Sequence, residues 1–316
     1  MPLEEMRKYK PELSRDEDFD SFWKQTIAAS KEQELNVEIN PVDYPVEKVK
    51  VSDLYFDGFK NSRIYGRYIL PANASADNQV PAVLMYHGYN YNNVVISNIL
   101  HYSLMGYAVL LLDLRGQNPQ SPDHNNYENG GPSGWMTNGI LNPYNYYYRF
   151  AYMDCVRAVD LIKNREEIDS SRIAVEGGSQ GGGLSLAVGA LSKDVSVVLA
   201  DIPYLSHFRR AIELYEGSPY DEIYHYFKIH DSLHKTEEQV YKTLSYFDCM
   251  NLAPMIRADV LISVGLEDTV CPPSTAFAVY NHLDTEKEIR VYPEYGHGGF
   301  NLHSEEKVMF LKKRFG

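Results

Sequence analysis

The chain contains no apolar run approaching the roughly 18 residues that a membrane-spanning helix needs. Its first residues, Met1-Pro-Leu-Glu-Glu-Met-Arg-Lys8, carry no apolar segment of the secretory kind. Cysteine is scarce: Cys155, Cys249 and Cys271 are far apart and odd in number. That pattern suits buried, reduced thiols rather than a disulfide framework. Together these absences predict residence in the cytoplasm. The tripeptide Asn73-Ala74-Ser75 matches a glycosylation acceptor, which would stay idle without export.

Positive charge is also in short supply. Thirty Lys and Arg stand against 43 Asp and Glu, a net charge of −13, with a pI near 5.2. A surface of that sign excludes binding to nucleic-acid backbones, which takes clustered basic residues. What the chain has in abundance is tyrosine, 26 residues in 316. Packing at core margins and subunit contacts is the ordinary use for so many; stacking on sugars or other flat ligands is the sharper one.

Residues 16–29 open with acids and place Phe19, Phe22, Trp23 and Ile27 on one helical face. Alternating runs near Val46–Phe56 and Arg63–Leu70, separated by Asp57-Gly58, predict antiparallel strands at a sheet edge. From residue 81 short continuous apolar runs take over: Ala82–Tyr86, Tyr107–Leu112, Arg172–Glu176, Val195–Ala200, Val260–Val264 and Ile289–Tyr292. Helical periods alternate with them, for example Cys155, Ala158, Val159 and Ile162. The pattern predicts an α/β fold whose mostly parallel central sheet is covered on both faces. A last helix is expected from Ser304, with Glu305 and Glu306 in its first turn and Lys312-Lys313-Arg314 at its end. Residues 203–250, too long for a simple connection, read as a helical insertion, with Phe208, Ala211, Ile212 and Tyr215 on one face and Gly217 as a stop. No repeats or linkers divide the chain, so a single domain over 1–316 is expected.

The densest signal is Gly177-Gly-Ser-Gln-Gly-Gly-Gly183, between an apolar strand and the helix-like run Leu184–Leu191. No Lys follows the glycines, which excludes a Walker phosphate loop. No register gives the glycine spacing of a dinucleotide site either. Gly177-Gly-Ser-Gln-Gly181 does fit G-x-S-x-G at a strand–turn–helix junction, where a serine sits on a sharp turn above the sheet. Such a serine needs a base and an orienting carboxylate, following in the order Ser, Asp/Glu, His, each beyond a later strand. Asp268 follows the run Val260–Val264, and His297 follows Ile289–Tyr292. Taken singly, Asp268 could be a loop or cap carboxylate and His297 a turn residue; order and placement make them partners for Ser179.

Competing residues fit less well. Glu267 adjoins Asp268 but faces elsewhere on an extended loop, His303 lies near the last helix, and His282 lies within a helix. His230 and His234 have i, i+4 spacing without the Glu of H-E-x-x-H, so no metal site is expected. For an oxyanion, the backbone N–H of Gln180 and that of Tyr89, in the loop Tyr86-His-Gly-Tyr-Asn90, are the candidate donors.

Several stretches resemble one family. They are His87-Gly-Tyr-Asn90, Arg115-Gly-Gln117, Gly134-Trp-Met-Thr-Asn-Gly-Ile140, Tyr146-Tyr-Tyr-Arg149 and Gly177–Gly183, continued by Thr243–Asp248, Pro272-Pro-Ser-Thr275 and Tyr280-Asn-His-Leu283. The chain resembles, over nearly its whole length, the acetyl xylan esterase and cephalosporin-C deacetylase group of carbohydrate esterases (family seven), within the α/β-hydrolase superfamily. The resemblance implies Ser179 as nucleophile, Asp268 as orienting acid and His297 as base. It implies Tyr89 and Gln180 as the oxyanion hole, Arg115 and Gln117 as structural support of the site, and no metal or organic cofactor. It also implies small acetylated carbohydrates and cephalosporin-like acetyl esters as substrates, a small acyl pocket, and cytoplasmic hexamers whose sites face an internal cavity. A peptidase of the same fold and a non-catalytic hydrolase-like protein are the alternatives. One departure stands out: Gly298, followed by Gly299, occupies the place after His297 where the family usually has Glu.

Overall fold

The computed structural model describes residues 1–90, 95–127, 134–217 and 219–316. Nine strands form one sheet: β1 (Glu38–Val42), β2 (Val49–Asp57), β3 (Arg63–Pro71), β4 (Val80–Tyr86), β5 (Ala108–Leu112), β6 (Ile168–Gly178), β7 (Val197–Asp201), β8 (Asp259–Gly265) and β9 (Lys287–Tyr292). Their order is β1-β2-β3-β5-β4-β6-β7-β8-β9. The pairs from β1 to β5 are antiparallel, and those from β5 through β4 to β9 are parallel. Crossing back from β5 to β4 and β6 puts the end of β6 near the middle of the sheet, where the strand order reverses and α/β sheets open a crevice.

The helices are α1 (Leu3–Met6), α2 (Phe19–Lys31), α3 (Leu100–Leu104), α4 (Tyr147–Lys163), α5 (Gln180–Leu191), α6 (Phe208–Leu214), α7 (Asp221–His230), α8 (Glu237–Phe247), α9 (Cys249–Leu252), α10 (Pro273–His282) and α11 (His303–Phe315). In β7 the side chains alternate between two cores: Val198 and Ala200 pack with α4 and α5, while Val197 and Leu199 face Phe310 and Leu311 of α11. Both faces are thus covered, which is why the parallel strands read as continuous apolar runs. The segment between β7 and β8 carries α6 to α9; Ser218 within the expected insertion lies outside the described residues. No helix among the described residues is long and apolar enough to cross a membrane.

The elements differ from the sequence expectation in one strand and in several boundaries, β6 for instance beginning at Ile168 rather than Arg172. β1 was not foreseen: its residues, Glu-Ile-Asn-Pro-Val, do not alternate cleanly, and Pro41 is tolerated because the strand lies at the edge. β2 begins at Val49 rather than Val46, and α11 begins at His303 rather than Ser304. The tyrosines mostly pack inside: Tyr102, Tyr146, Tyr147, Tyr148, Tyr152, Tyr204, Tyr220 and Tyr246 are almost fully buried. Several of their hydroxyls reach partners at depth, as Tyr152 does on the Phe247 carbonyl at 2.7 Å, whereas the buried Tyr204 hydroxyl has none among the described residues.

Behind the end of β6, α11 is fastened by buried charge. Lys307 Nζ lies 2.5 Å from Glu176 Oε1 and 2.9 Å from Asp201 Oδ2. Tyr102 donates to the other Glu176 oxygen, Ser263 Oγ to Asp201 Oδ1 at 2.8 Å, and His303 Nε2 lies 2.6 Å from the same Oδ1. Burial opposes the charged form of Asp201, yet Lys307 and His303 hold its carboxyl well below the ordinary carboxylate range. A depressed folded value means that the stabilisation is present above the unfolded pKa, near about 4, and is lost as pH falls through the folded value. Lys307→Met leaves two buried carboxylates uncompensated and should cost about 3–5 kcal/mol at neutral pH. Thermal unfolding checks this: a large fall in Tm near pH 7 that shrinks on acidification is expected, and an unchanged Tm would show the cluster to be energetically neutral.

Candidate active site

Every predicted site residue follows the C-terminal end of a strand. Tyr89 follows β4, Arg115 and Gln117 follow β5, Ser179 follows β6, Asp268 follows β8 and His297 follows β9. The parallel direction of these strands gathers them at one edge of the sheet.

Ser179 sits between β6 and α5 with φ 56° and ψ −118°, a sparsely populated conformation for a residue with a side chain. Its N–H donates to the Asp201 carbonyl at 2.9 Å, and its own carbonyl accepts from Tyr204 N at 2.9 Å and Gly183 N at 3.1 Å. Three main-chain bonds therefore hold the strained turn. The glycines explain how closely the chain packs there. A Cβ at Gly181 would lie 2.0 Å from the Tyr86 carbonyl oxygen, and one at Gly183 2.3 Å from that of Tyr204. Helix α5 thus presses against the ends of β4 and β7 with bare backbone. Gly178 is different, with Asp201 Cβ at 3.9 Å as its nearest neighbour.

His297 Nδ1 lies 2.8 Å from Asp268 Oδ2. The other oxygen of Asp268 accepts from the amides of Val270 and Cys271 at 2.9 and 2.8 Å, so the buried carboxylate has a fixed orientation. The two loops are joined to each other by Leu266 N to the Tyr292 carbonyl and Glu267 N to the Tyr295 carbonyl, both at 3.0 Å. Beside this pair stands a residue that the sequence offered only as an isolated thiol. The sulfur of Cys271 lies with ligand atoms of Asp268 and His297 inside a 4.8 Å cluster, and the Ser179 side chain is close enough to influence the thiol. Burial pushes the Cys271 thiol well above its usual range, so it stays protonated. Isolated cysteines give no motif, and this position was visible only in three dimensions.

The competing histidines have other partners. His303 is held between Asp201 and the Tyr292 hydroxyl, at 2.6 and 2.9 Å. His282 Nε2 lies 2.7 Å from the Pro11 carbonyl. His234 pairs with Glu237 at 3.1 Å. After His297 the chain passes through Gly298 and Gly299 with φ 96° and 73°, backbone that a glutamate would adopt only with strain. The two glycines thus give the chain after His297 a left-handed path.

Around the opposite side, Gln117 and Gln180 form a reciprocal amide pair, 2.9 and 3.0 Å. Gln117 Oε1 also accepts from Asn90 N at 3.1 Å, and the Gln180 oxygen from the Tyr148 hydroxyl at 2.9 Å. Arg115 lies behind them, fully buried. Nε and Nη2 donate to the two Asp154 oxygens at 2.6 Å each, and Nη2 donates to the Phe59 carbonyl. Glu222 is an addition that no motif announced: its carboxylate accepts from the Tyr89 hydroxyl at 2.5 Å and from Met136 N at 2.9 Å.

A serine on a strained strand–helix turn, beside a histidine–carboxylate pair carried by the next strands of a mostly parallel sheet, defines an α/β-hydrolase. Within that class the chain belongs to the acetyl xylan esterase (AXE1) family, whose sequence profile matches residues 1–315. It is a carboxylic ester hydrolase. It is 30% identical to the acetyl esterase Axe7A of Xylanibacter ruminicola over 96% of this chain and 69% of that one. The acetyl xylan esterase from Paenibacillus sp. R4 is 45% identical and superimposes with a TM-score of 0.96, over 99% of this chain and 100% of that one. Acetyl xylan esterase 1 from Thermoanaerobacterium sp. JW/SL YS485 is 34% identical, with a TM-score of 0.95 over 100% of this chain and 99% of that one.

The two kinds of glycine in the motif make a direct test. Gly178→Ala should fold and retain activity within about threefold, since a methyl there meets only van der Waals contact. Gly181→Ala must push the turn off the Tyr86 carbonyl and should lose at least about a hundredfold in kcat, or fail to fold. Equal activity in the two variants would show that the motif's glycines are not there for close approach.

Proposed function

We propose that the chain deacetylates small O-acetylated carbohydrates, xylo-oligosaccharides among them, and cephalosporin C-like acetyl esters, through an acyl-enzyme on Ser179. The observation that carries the reading is the bonded His297–Asp268 pair at the same end of the parallel strands as a serine held at φ 56°. In the first half-reaction Ser179 Oγ attacks the acetyl carbonyl carbon while His297 Nε2 takes the hydroxyl proton. Asp268, bonded at Nδ1, selects that tautomer and stabilises the imidazolium. The carbonyl electrons move to oxygen, where the amides of Tyr89 and Gln180 receive the charge. As the intermediate collapses the alkoxy bond breaks, and His297 returns its proton to the departing sugar hydroxyl. Water then attacks the acetyl-serine by the same route and releases acetate.

Because this reaction needs no redox partner or Lewis acid, Ser, His and Asp suffice. Arg115 and Gln117 serve it indirectly. Gln117 ties the Asn90 amide to the Gln180 side chain, and so links the two loops that bear the oxyanion donors. Arg115 closes the base of that arrangement with Asp154. The names of the related acetyl esterases support an acetyl rather than a long acyl group. Cytoplasmic residence and assembly into hexamers around a shared cavity belong to the same reading.

Hydrolysis of 4-nitrophenyl acetate, butyrate and octanoate by the wild type and Ser179→Ala is the deciding measurement, with acetylated xylobiose and cephalosporin C alongside. A loss of about 10³-fold or more in the variant is expected, with acetate preferred and octanoate poor. Equal rates in both proteins would remove Ser179 from the reaction, and a preference for octanoate would remove the small acyl site.

A further inference from the structure

Glu222 comes from the first turn of α7, in the segment between β7 and β8, yet its carboxylate bonds outside that segment. One oxygen accepts from the Tyr89 phenol at 2.5 Å, the other from the Met136 amide at 2.9 Å. The Tyr89 hydroxyl in turn accepts from Trp135 N–H at 2.9 Å, and the Trp135 ring stands edge-on to the Tyr89 ring at 5.1 Å. At Gly134, φ 103°, a Cβ would lie 1.8 Å from the carboxyl carbon of Glu222, so the backbone there makes room for this one carboxylate. Immediately after Tyr89, Asn90 has φ 53°, and its N–H is held by Gln117 at 3.1 Å.

We propose that Glu222 is a positioning residue for the esterase reaction, fixing the Tyr89 side chain so that the left-handed Tyr89–Asn90 turn keeps the Tyr89 amide aimed at the oxyanion. The inference rests on the reading of Tyr89 as an oxyanion donor and deepens it. Asparagine adopts the left-handed conformation more readily than other residues with a side chain, so contacts on either side of the turn decide how its peptides point. Gln117 holds the turn at its downstream amide, and Glu222 holds it at the upstream side chain. Releasing the upstream end lets the intervening peptide swing. The donor is then displaced from the charge of the tetrahedral intermediate, whereas an uncharged ground-state ester loses little. The effect therefore falls on kcat and spares KM.

Tyr89→Phe removes the phenol and leaves the ring against Trp135; Glu222→Gln keeps the shape but turns an amide N–H toward one of two donors. With 4-nitrophenyl acetate, kcat should fall about tenfold in each while KM stays within about twofold. The double variant should be no slower than the slower single one, as expected of two residues acting through one contact. Inhibition by phenylboronic acid, which forms a tetrahedral adduct on the serine, should weaken by the same factor as kcat, while inhibition by acetate stays constant. Full kcat in Tyr89→Phe, or equal weakening of boronate and acetate, overturns the proposal. If Glu222→Gln does not fold, Tyr89→Phe with the boronate comparison decides alone. Ser179→Ala separates the two claims: if it is inert while Tyr89→Phe works at full rate, only the role of Glu222 falls, whereas an active Ser179→Ala removes the underlying reading as well.

Discussion

The hydrogen bond from Ser179 N–H to the main-chain carbonyl of Asp201 is where strain at the site meets support from the rest of the fold. A non-glycine residue at φ 56° and ψ −118° costs of the order of 1–3 kcal/mol and persists only if its neighbours permit no other path. Asp201 supplies that constraint because it is itself immobile. Its amide and carbonyl belong to the end of β7, and its carboxylate is held by Ser263, His303 and Lys307. The backbone of one residue thus steadies the turn at Ser179, while its side chain receives α11. Close packing of α5 completes the arrangement, since its first turn presents hydrogen atoms rather than methyl groups to the carbonyls of Tyr86 and Tyr204.

Buried charge recurs around this edge of the sheet, each time with its counter-charge. Arg115 meets Asp154, and Lys307 meets Glu176 and Asp201. Ion pairs taken out of water contribute little net stability, because desolvation offsets most of the attraction. What they do is hold loops whose strands have already ended and whose backbone no longer has ladder bonds. Gln117 and Gln180 do the same without charge, and their reciprocal amides tie the ends of β5 and β6 together across the mouth of β4. Polar contacts carry positional information here, and the two apolar cores beneath carry the stability.

The strands that bear the site were legible because burial on both faces leaves continuous apolar runs, and Ser179, Asp268 and His297 each follow one of them. Sheet order then brings the three positions to the same end of the parallel strands. β1 was illegible: an edge strand with one hydrogen-bonding side in solvent needs no apolar alternation and accepts Pro41. Cys271 and Glu222 escaped for another reason. Neither sits in a motif, and Glu222 reaches Tyr89 from 133 residues away in sequence. No periodicity encodes that contact. Gln117 belonged to a recognisable motif, but its partner, the Gln180 side chain, could be named only from coordinates.

The position of α11 also orders events in time. His303 and Lys307 follow all nine strands in the chain, and they complete the setting of Asp201 behind the Ser179 turn. During synthesis, β6, Ser179 and β7 leave the ribosome well before residues 303–315 do. Until those residues emerge, Glu176 and Asp201 face each other's neighbourhood without the ammonium group that reconciles them. The serine turn therefore acquires this backing only after the nine strands of the sheet have been made.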